Sequence, residues 1–270
     1  MMLMPVGGNM TFELVCEKIK DADMVLVSLG EEFDTVKVLK ESAEYVEIIE
    51  KISEGNQNWL IPACDAYFRG KNQEVSEGIR SALDRLAAAL EGKNYFLLSV
   101  SVNPMIEQTS WKEGRLVSPC GTLKKKQCPE GCPEGLQELT DSELEKLNWT
   151  FENAIVSGEL PILGTCPACG KPLICNNVYA EKYDENGYLS QWQLYTKWLQ
   201  GTLNKKLVIL ELGVGLKFPS VARWPFEKIA FFNKKAEFIR VNGTLYQMSE
   251  ELADKGISIH QNAIDWLRGM

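Results

Sequence analysis

Long hydrophobic runs, excess positive charge and histidine are all scarce in this sequence. No apolar run reaches the ~20 residues that a membrane-spanning helix needs, so we predict no membrane association. The net charge of -8 and the isoelectric point near 5.0 exclude general nucleic-acid binding, because lysine and arginine are nowhere concentrated enough to displace phosphate counterions. The single histidine, His260, lies near the C-terminus, and we interpret it as a surface or hydrogen-bonded residue without a catalytic role.

A secretory leader pattern is also missing, because residues 1–10 have no basic stretch followed by an apolar one. We therefore expect a cytoplasmic protein, in whose reducing compartment the eight cysteines are thiols or metal ligands before they are disulfides. The hydrophobic fraction of 45% and the charged fraction of 24% are typical of a globular protein. A chain of 270 residues can form one large domain and carry a smaller module.

Short apolar runs alternate with helical patterns along most of the chain. Continuous apolar runs of this length are typical of strands that are buried on both faces of a parallel sheet. The predicted strands are Met24–Val27, Tyr95–Val100, Leu207–Leu210 and Ala236–Val241. The predicted helices are Phe12–Asp23, Ser76–Leu90, Leu189–Leu203, Pro225–Asn233 and Ala263–Leu267. The sequence therefore predicts an α/β fold with a Rossmann-like doubly wound parallel sheet.

A segment rich in cysteine, proline and glycine interrupts this alternation at residues 119–177. We predict that this segment is an inserted module, and that residues 1–118 and 178–270 together form the Rossmann-like domain. Inside the module, Thr140–Ile155 is predicted to be a helix, because its first residue and Glu143 have the spacing of a capping box.

Two close pairs of cysteines in this module indicate a zinc site. The first pair is Cys128 and Cys132, and the second is Cys166 and Cys169 in a Cys-Pro-Ala-Cys-Gly turn. Each pair can place two thiolates on one ion, and four thiolates make the closed tetrahedral set of structural zinc sites. The alternative is that these are reduced thiols on loops whose metal site has decayed. Cys175 does not fit the spacing and is not counted as a ligand.

A parallel α/β sheet interrupted by a four-cysteine module is the layout of the sirtuin family, which this chain resembles. The matching segments occur in the family's order over almost the whole chain. They are Val25–Gly30, Leu97–Asn103, Cys120–Gly121, Cys166–Gly170, Leu210–Pro219 and Ile239–Asn242. The chain looks most similar to divergent microbial sirtuins, including the class linked to macrodomain operons, whose members transfer ADP-ribose.

The resemblance implies NAD and zinc as cofactors and a protein substrate that carries a modified lysine. It places Asn103 at the family's catalytic asparagine and Cys120 at the family's catalytic histidine, so that both are predicted catalytic residues. The positions that it implies for cofactor binding are Ser28, Gly30, Asn103, Gly213, Gly215 and Asn242.

Several of the family's positions are changed in this chain. The glycine-rich turn is reduced to Ser28–Gly30, and the carboxylates of Glu31 and Glu32, at the start of a predicted helix, would repel a pyrophosphate unless they turn outward. Cys120 could act as a base only as a thiolate, and it could instead join the metal cluster or be a neutral packing residue. Met105 stands in place of the family's aspartate.

Three functions are consistent with these residues. The first is a divergent NAD-dependent transferase, either a deacylase or an ADP-ribosyltransferase, which the retained Asn103 and its spacing to Cys120–Gly121 favour. ADP-ribosyl transfer tolerates the loss of the histidine better than deacylation does, and Asn177–Glu181 lacks the glycine of a family substrate loop. The second is a catalytically inactive protein that binds or senses NAD or ADP-ribose. The third is a zinc-stabilised α/β protein without a nucleotide site.

Overall fold

The computed structural model describes residues 10–154 and 161–270 of the chain. Its α-helices are α1 (Phe12–Asp21), α2 (Val36–Leu39), α3 (Ala43–Glu54), α4 (Ile61–Lys71), α5 (Gln73–Leu90), α6 (Pro104–Gln108), α7 (Asp141–Trp149), α8 (Leu189–Gln200), α9 (Arg223–Phe232) and α10 (Ala263–Arg268). Its strands are β1 (Met24–Leu29), β2 (Tyr95–Ser99), β3 (Leu116–Val117), β4 (Gly121–Gln127), β5 (Gln137–Glu138), β6 (Ile174–Asn177), β7 (Leu207–Leu212), β8 (Ala236–Val241) and β9 (Gly256–Ile259).

Two expectations from the sequence fall wholly or partly beyond these ranges. The absence of a leader pattern is an expectation for residues 1–10, of which residues 1–9 lie outside the described ranges. The predicted end of the module helix, Ile155, also lies outside them. Within the described ranges, no helix is both long and apolar enough to cross a membrane.

Six parallel strands form the main sheet, in the order β3-β2-β1-β7-β8-β9. β1 lies in the middle and pairs with β2 on one side and β7 on the other, so that Ser28 is opposite both Leu98 and Glu211. The chain first forms β1, β2 and β3 in one half of the sheet, and later forms β7, β8 and β9 in the other half. This reversal between β1 and β7 confirms the predicted doubly wound sheet.

Helices cover both faces of the sheet because its central strands are apolar on both sides. Every residue of β1 and β7 is buried. One face packs against α1, α5 and α10, through side chains that include Ile19, Leu86 and Trp266. The other face packs against α8 and α9, through residues such as Trp198 and Phe226. Burial of apolar surface, worth about 25 cal/mol per Å2, is the main term that holds these layers together.

A second hydrophobic core joins α3 and α4 to the cysteine-rich module. Leu60 and Phe68 pack in this core with Leu147 of α7. The module contains a small antiparallel sheet in the order β5-β4-β6. The predicted capping box is present at the start of α7, where Thr140 and Glu143 exchange hydrogen bonds. The helices α3 and α4 are absent from the sequence-based prediction.

The predicted strands and helices correspond to elements of the structure, whose bounds differ from the predicted ones by a few residues. Glu31–Asp34 is a 3-10 turn and not the start of a longer helix, because Thr35 adopts a left-handed backbone with φ of 53° directly after it. The helix predicted to reach Leu203 ends at Gln200, where Gly201 follows.

Candidate functional site

A pocket of about 730 Å3 lies at the carboxyl ends of the central strands. Its walls come from the segments that follow β1, β7 and β8, and from parts of α5 and α10. The predicted cofactor residues on these walls are Gly213, Gly215 and Asn242. The other predicted site residues, which do not line the pocket, are Ser28, Gly30, Asn103 and Cys120. Doubly wound folds bind nucleotides in a cleft of this size, at the point where the strand order reverses.

The ends of β1 and β7 approach each other closely at Gly30. The Gly30 amide donates to the Leu212 carbonyl at 2.8 Å, and a Cβ built on Gly30 would lie 2.3 Å from the Gly213 carbonyl oxygen. Only glycine fits this position, because any side chain would overlap the β7 backbone. The contact places the two residues that follow, Glu31 and Glu32, against the loops at the ends of β7 and β8.

Glu31 binds the loop that follows β7. Its carboxylate accepts hydrogen bonds from the amides of Gly215 at 2.6 Å and Lys217 at 3.3 Å. Asn242 stabilises the same loop from the β8 side, because its side-chain amide donates to the Val214 carbonyl at 3.0 Å. The side chains of Glu31 and Asn242 therefore stabilise the conformation of this loop.

Glu32 connects the end of β8 to the start of α10. Its carboxylate accepts from the Gly243 amide at 2.8 Å and from the Ala263 amide at 2.7 Å. Burial raises the pKa of Glu32, and the two amides partly offset that rise. Glu32 is thus a structural carboxylate at the wall of the pocket.

These contacts test whether NAD fits the pocket. Backbone amides at the ends of parallel strands are the groups that hold phosphates in nucleotide-binding folds. Here the Glu31 carboxylate accepts from the Gly215 amide in the loop after β7, and the Glu32 carboxylate accepts from the Gly243 amide after β8. Five carboxylates and two basic side chains line the pocket. The size and place of the pocket suit a nucleoside, whose hydroxyls can donate to carboxylates. The pyrophosphate of NAD can reach these amides only if a glutamate side chain leaves them.

A buried polar network lies beside this pocket. The Asp34 carboxyl accepts from the Ser101 hydroxyl at 2.6 Å and from the Val102 amide at 3.1 Å. Arg69 of α4, 2% exposed, donates to the Asp34 carbonyl at 2.9 Å and to the Asn103 side-chain oxygen at 3.2 Å. Burial raises the pKa of Asp34 from 3.8 to about 7, although Ser101 and Arg69 lower it. The network contains a carboxyl group that titrates near neutral pH.

Replacing Asp34 with asparagine is expected to change how stability depends on pH. The unfolded carboxyl ionises near pH 3.8, whereas the folded protein keeps this proton up to about pH 7. The folded state binds more protons in that window, so the stability of the wild type falls as the pH rises through it. Asp34→Asn avoids this fall and gains stability relative to the wild type, by at most about 4 kcal/mol.

Thermal unfolding between about pH 4 and pH 8 measures this difference. The control is Asp84→Asn, at an exposed position of α5, whose curve should parallel that of the wild type. If the dependence of stability on pH in Asp34→Asn also parallels that of the wild type, the pKa of Asp34 is not raised in the folded protein.

The Asn103 side chain makes three hydrogen bonds, and the residue is 2% exposed. Its side-chain nitrogen donates to the Phe33 carbonyl at 2.7 Å. Its side-chain oxygen accepts from the Met105 amide at 3.0 Å, which caps α6, and from Arg69. These bonds give Asn103 a structural role in the arrangement described, and its catalytic role stays a prediction.

Asn103→Ala is therefore expected to lower stability as well as any activity. The loss of a buried cap that also bonds Arg69 should cost about 2–3 kcal/mol in the free energy of unfolding. Asn72→Ala removes the cap of α5 at an exposed position and should cost about 1 kcal/mol or less. Urea unfolding of both variants tests this, and equal losses would contradict the buried network.

Cys120 is 1% exposed and packs in the apolar core on the α8 and α9 face of the sheet. Burial raises the pKa of its thiol, and the nearby charge of Asp34 adds to the rise. A neutral thiol is a poor general base, so the geometry favours the packing role among the three that the sequence leaves open. Ser28 is also buried, and its hydroxyl has no hydrogen-bond partner within the described part of the chain.

Four cysteine sulfurs of the module lie within 4.8 Å of one another: Cys128, Cys132, Cys166 and Cys169. The sulfurs of Cys128 and Cys169 are 3.5 Å apart, close to the ~3.8 Å that tetrahedral zinc–thiolate bonds require. Gly170, with φ of 72°, allows the tight turn after the second pair. The four thiols fit one zinc ion, as predicted. Among the described residues, Cys120 and Cys175 lie outside this cluster.

The sequence-based interpretation misses Asp34, Ser101 and Asp65. One signal was available, because Asp65 and Arg69 are four residues apart and so lie on one face of α4. The Tyr45 hydroxyl donates to Asp65 at 2.8 Å in the structure. No local pattern marks Asp34, since its partners lie 67 and 68 residues further along the chain.

Sequence comparison connects the chain to ADP-ribosyltransferases. No family model matches it. Over 179 residues, or 66% of the chain, it is 20% identical to a "Protein ADP-ribosyltransferase" of Staphylococcus aureus, and the match covers 56% of that protein. Over 62% of the chain it is 24% identical to a "Probable bifunctional ADP-ribose hydrolase/ADP-ribosyltransferase" of Fusarium oxysporum f. sp. cubense, covering 29% of that protein. The chain thus matches about half or less of the length of these relatives.

Solved structures align over nearly the whole chain. A complex of a Sir2 homologue with NAD aligns over 98% of this chain and 95% of its own, with a TM-score of 0.57 and 13% identity. A sirtuin structure on substrate affinity aligns over 96% and 98%, with a TM-score of 0.54 and 11% identity. Sir2 with a deacetylated p53 peptide and 3′-O-acetyl ADP-ribose aligns over 96% of each chain, with a TM-score of 0.52 and 12% identity. The chain therefore has the sirtuin fold, a doubly wound sheet with a four-cysteine module.

Proposed function

We propose that the chain binds NAD in the pocket between β1 and β7 and transfers ADP-ribose to a protein acceptor. The observation that carries the proposal is the position of this pocket, at the carboxyl ends of the strands where the sheet order reverses. The names of the two relatives support ADP-ribosyl transfer in particular. Gly213, Gly215 and Asn242 would surround the nucleoside. NAD would supply an ADP-ribosyl group that is attached to nicotinamide as the leaving group.

Two observations favour this transfer over the removal of an acyl group from a modified lysine. The Cys120 thiol is buried with a raised pKa, so no base stands where the family has histidine. The Lys217 ammonium group donates to the Tyr179 hydroxyl and lies 4.3 Å from the centre of that ring. Tyr179 belongs to the segment at the place of the family's substrate loop, and this contact links that segment to the loop after β7.

The test compares two tryptophan substitutions at equally exposed valines. Val38 lines the pocket and is 37% exposed, whereas Val46 of α3 is 36% exposed and is not a lining residue. Val38→Trp should weaken NAD binding in calorimetry by about tenfold or more, which is ~1.4 kcal/mol in the free energy of binding. It should slow nicotinamide release to a similar extent. Val46→Trp should behave as the wild type. Equal effects of the two substitutions would mean that NAD binds elsewhere.

A second candidate function is binding of NAD or ADP-ribose without turnover. The bonds that hold Asn103 and the neutral thiol of Cys120 favour it. The same experiment separates the candidates, because NAD binding without nicotinamide release supports this one. No binding by the folded protein would exclude both.

A further inference from the structure

The Glu31 carboxylate makes contacts that the proposed function does not require. It binds two amides of one loop, those of Gly215 and Lys217, and both Glu31 and Gly215 line the pocket. A carboxylate with two main-chain donors matches what a phosphate oxygen pair would do at the same amides. The chain thus supplies an anion of its own where a nucleotide would place one.

Glu31 and Glu32 differ in how easily they can leave their amides. Glu32 spans two separate segments, at Gly243 and Ala263, and its displacement would break the link between β8 and α10. Within the part of the chain that the structure describes, Glu31 binds only the loop after β7, and this residue is half-buried at the pocket. Displacement of Glu31 therefore disturbs one loop, whereas displacement of Glu32 separates two segments.

We propose that Glu31 is a specificity-determining residue that occupies the phosphate-binding amides of the pocket. An uncharged nucleoside enters beside the Glu31 carboxylate and can donate its hydroxyls to it, whereas a pyrophosphate must first displace it from Gly215 and Lys217. The inference rests on the proposed function, since it concerns the ligand of the same pocket. It predicts that the pocket binds adenosine nearly as well as ADP-ribose, although ADP-ribose offers more groups for contact.

Calorimetry with ADP-ribose and with adenosine tests this inference on the zinc-loaded chain. Glu31→Gln removes the charge but keeps an oxygen that can accept from the Gly215 amide. It should bind ADP-ribose at least about tenfold tighter than the wild type, because a like charge no longer faces the phosphates. Adenosine binding should change by less than about threefold, since no phosphate is present.

Glu50→Gln is the matched control, because Glu50 of α3 is exposed, has the same charge and does not line the pocket. It should leave the affinity for ADP-ribose within about threefold of the wild type. Glu31→Ala, which removes the acceptor altogether, should act in the same direction as Glu31→Gln and serves if that variant is unstable.

The outcomes separate this inference from the proposed function. If Glu31→Gln and Glu50→Gln change ADP-ribose binding equally, Glu31 does not set the specificity, while nucleotide binding by the wild type keeps the proposed function. If adenosine and ADP-ribose bind neither the wild type nor the Glu31 variants, the pocket is not a nucleotide site and both proposals are wrong. If only ADP-ribose binds the wild type, and does so tightly, the inference is overturned.

Discussion

Removal of zinc is expected to unfold the cysteine module and to lower the thermal midpoint of the chain by roughly 10 °C or more. Structural zinc contributes folding free energy directly, about 10–16 kcal/mol in isolated zinc-finger peptides. Cys128 and Cys166 are also members of the core that includes Leu60 of the 3-10 turn before α4 and Phe68 of α4 itself. Loss of the ion should therefore loosen these helices as well as the module.

Cys169→Ser isolates the metal from the packing, because Cys169 is the exposed member of the four. We expect one zinc per chain in the wild type by mass spectrometry, and weak, chelator-sensitive zinc in the variant. Cys16→Ser is the control, since Cys16 lies outside the cluster and should change neither zinc content nor the thermal midpoint appreciably. A folded wild type without zinc, with a midpoint that Cys169→Ser leaves unchanged, would contradict the metal site.

Glu211→Gln is expected to lower the free energy of unfolding by about 3–5 kcal/mol. The Glu211 carboxylate is buried in β7 and binds Arg240 of β8 through both oxygens, at 2.5 and 3.0 Å. Arg223 lies 3.6 Å away. Removing the central charge leaves two guanidinium groups without their shared partner, and buried charges that lose a partner are strongly destabilising.

The effect should extend to the pocket, because Arg223 also donates to the Val214 carbonyl at 2.9 Å and to the Leu245 carbonyl at 2.8 Å. These carbonyls belong to the loops after β7 and β8. Glu227→Gln is the matched control, since Glu227 binds Arg240 at 2.7 Å but is 24% exposed, and it should cost less than about 1 kcal/mol. Chemical denaturation measures both changes, and similar losses for the two variants would show that Glu211 is not the centre of the network.

Local patterns were enough to predict much of the fold. The strands β1 and β7 begin with uninterrupted apolar runs, Met24–Val27 and Leu207–Leu210, because a strand covered by helices on both faces cannot carry polar residues freely. The capping box at Thr140 and Glu143 and the paired cysteines are short-range motifs whose geometry follows from spacing alone. The helix α3 was also predictable, since Tyr45, Ile48 and Ile52 have helical spacing and are buried.

The contents of the site depend on contacts that sequence spacing does not reveal. The sequence indicated that Glu31 and Glu32 follow the first strand, but their effect depends on where the carboxylates point. They point to amides 184 and 186 residues away for Glu31, and 211 and 231 residues away for Glu32. Only the close approach of β1 and β7 at Gly30 brings these groups together.

The sequence by itself determined the doubly wound sheet, the zinc cluster and the resemblance to sirtuins, because apolar runs and cysteine spacing act over a few residues. Tertiary structure alone decided that Glu211 faces Arg240 across the parallel register and that Asp34 meets Ser101 in the interior. It also decided that the Glu31 carboxylate accepts from the amides of Gly215 and Lys217. Each of these features depends on burial and on strand pairing between distant segments. Pairing determines which group a buried charge contacts, and burial determines the free energy that the charge costs.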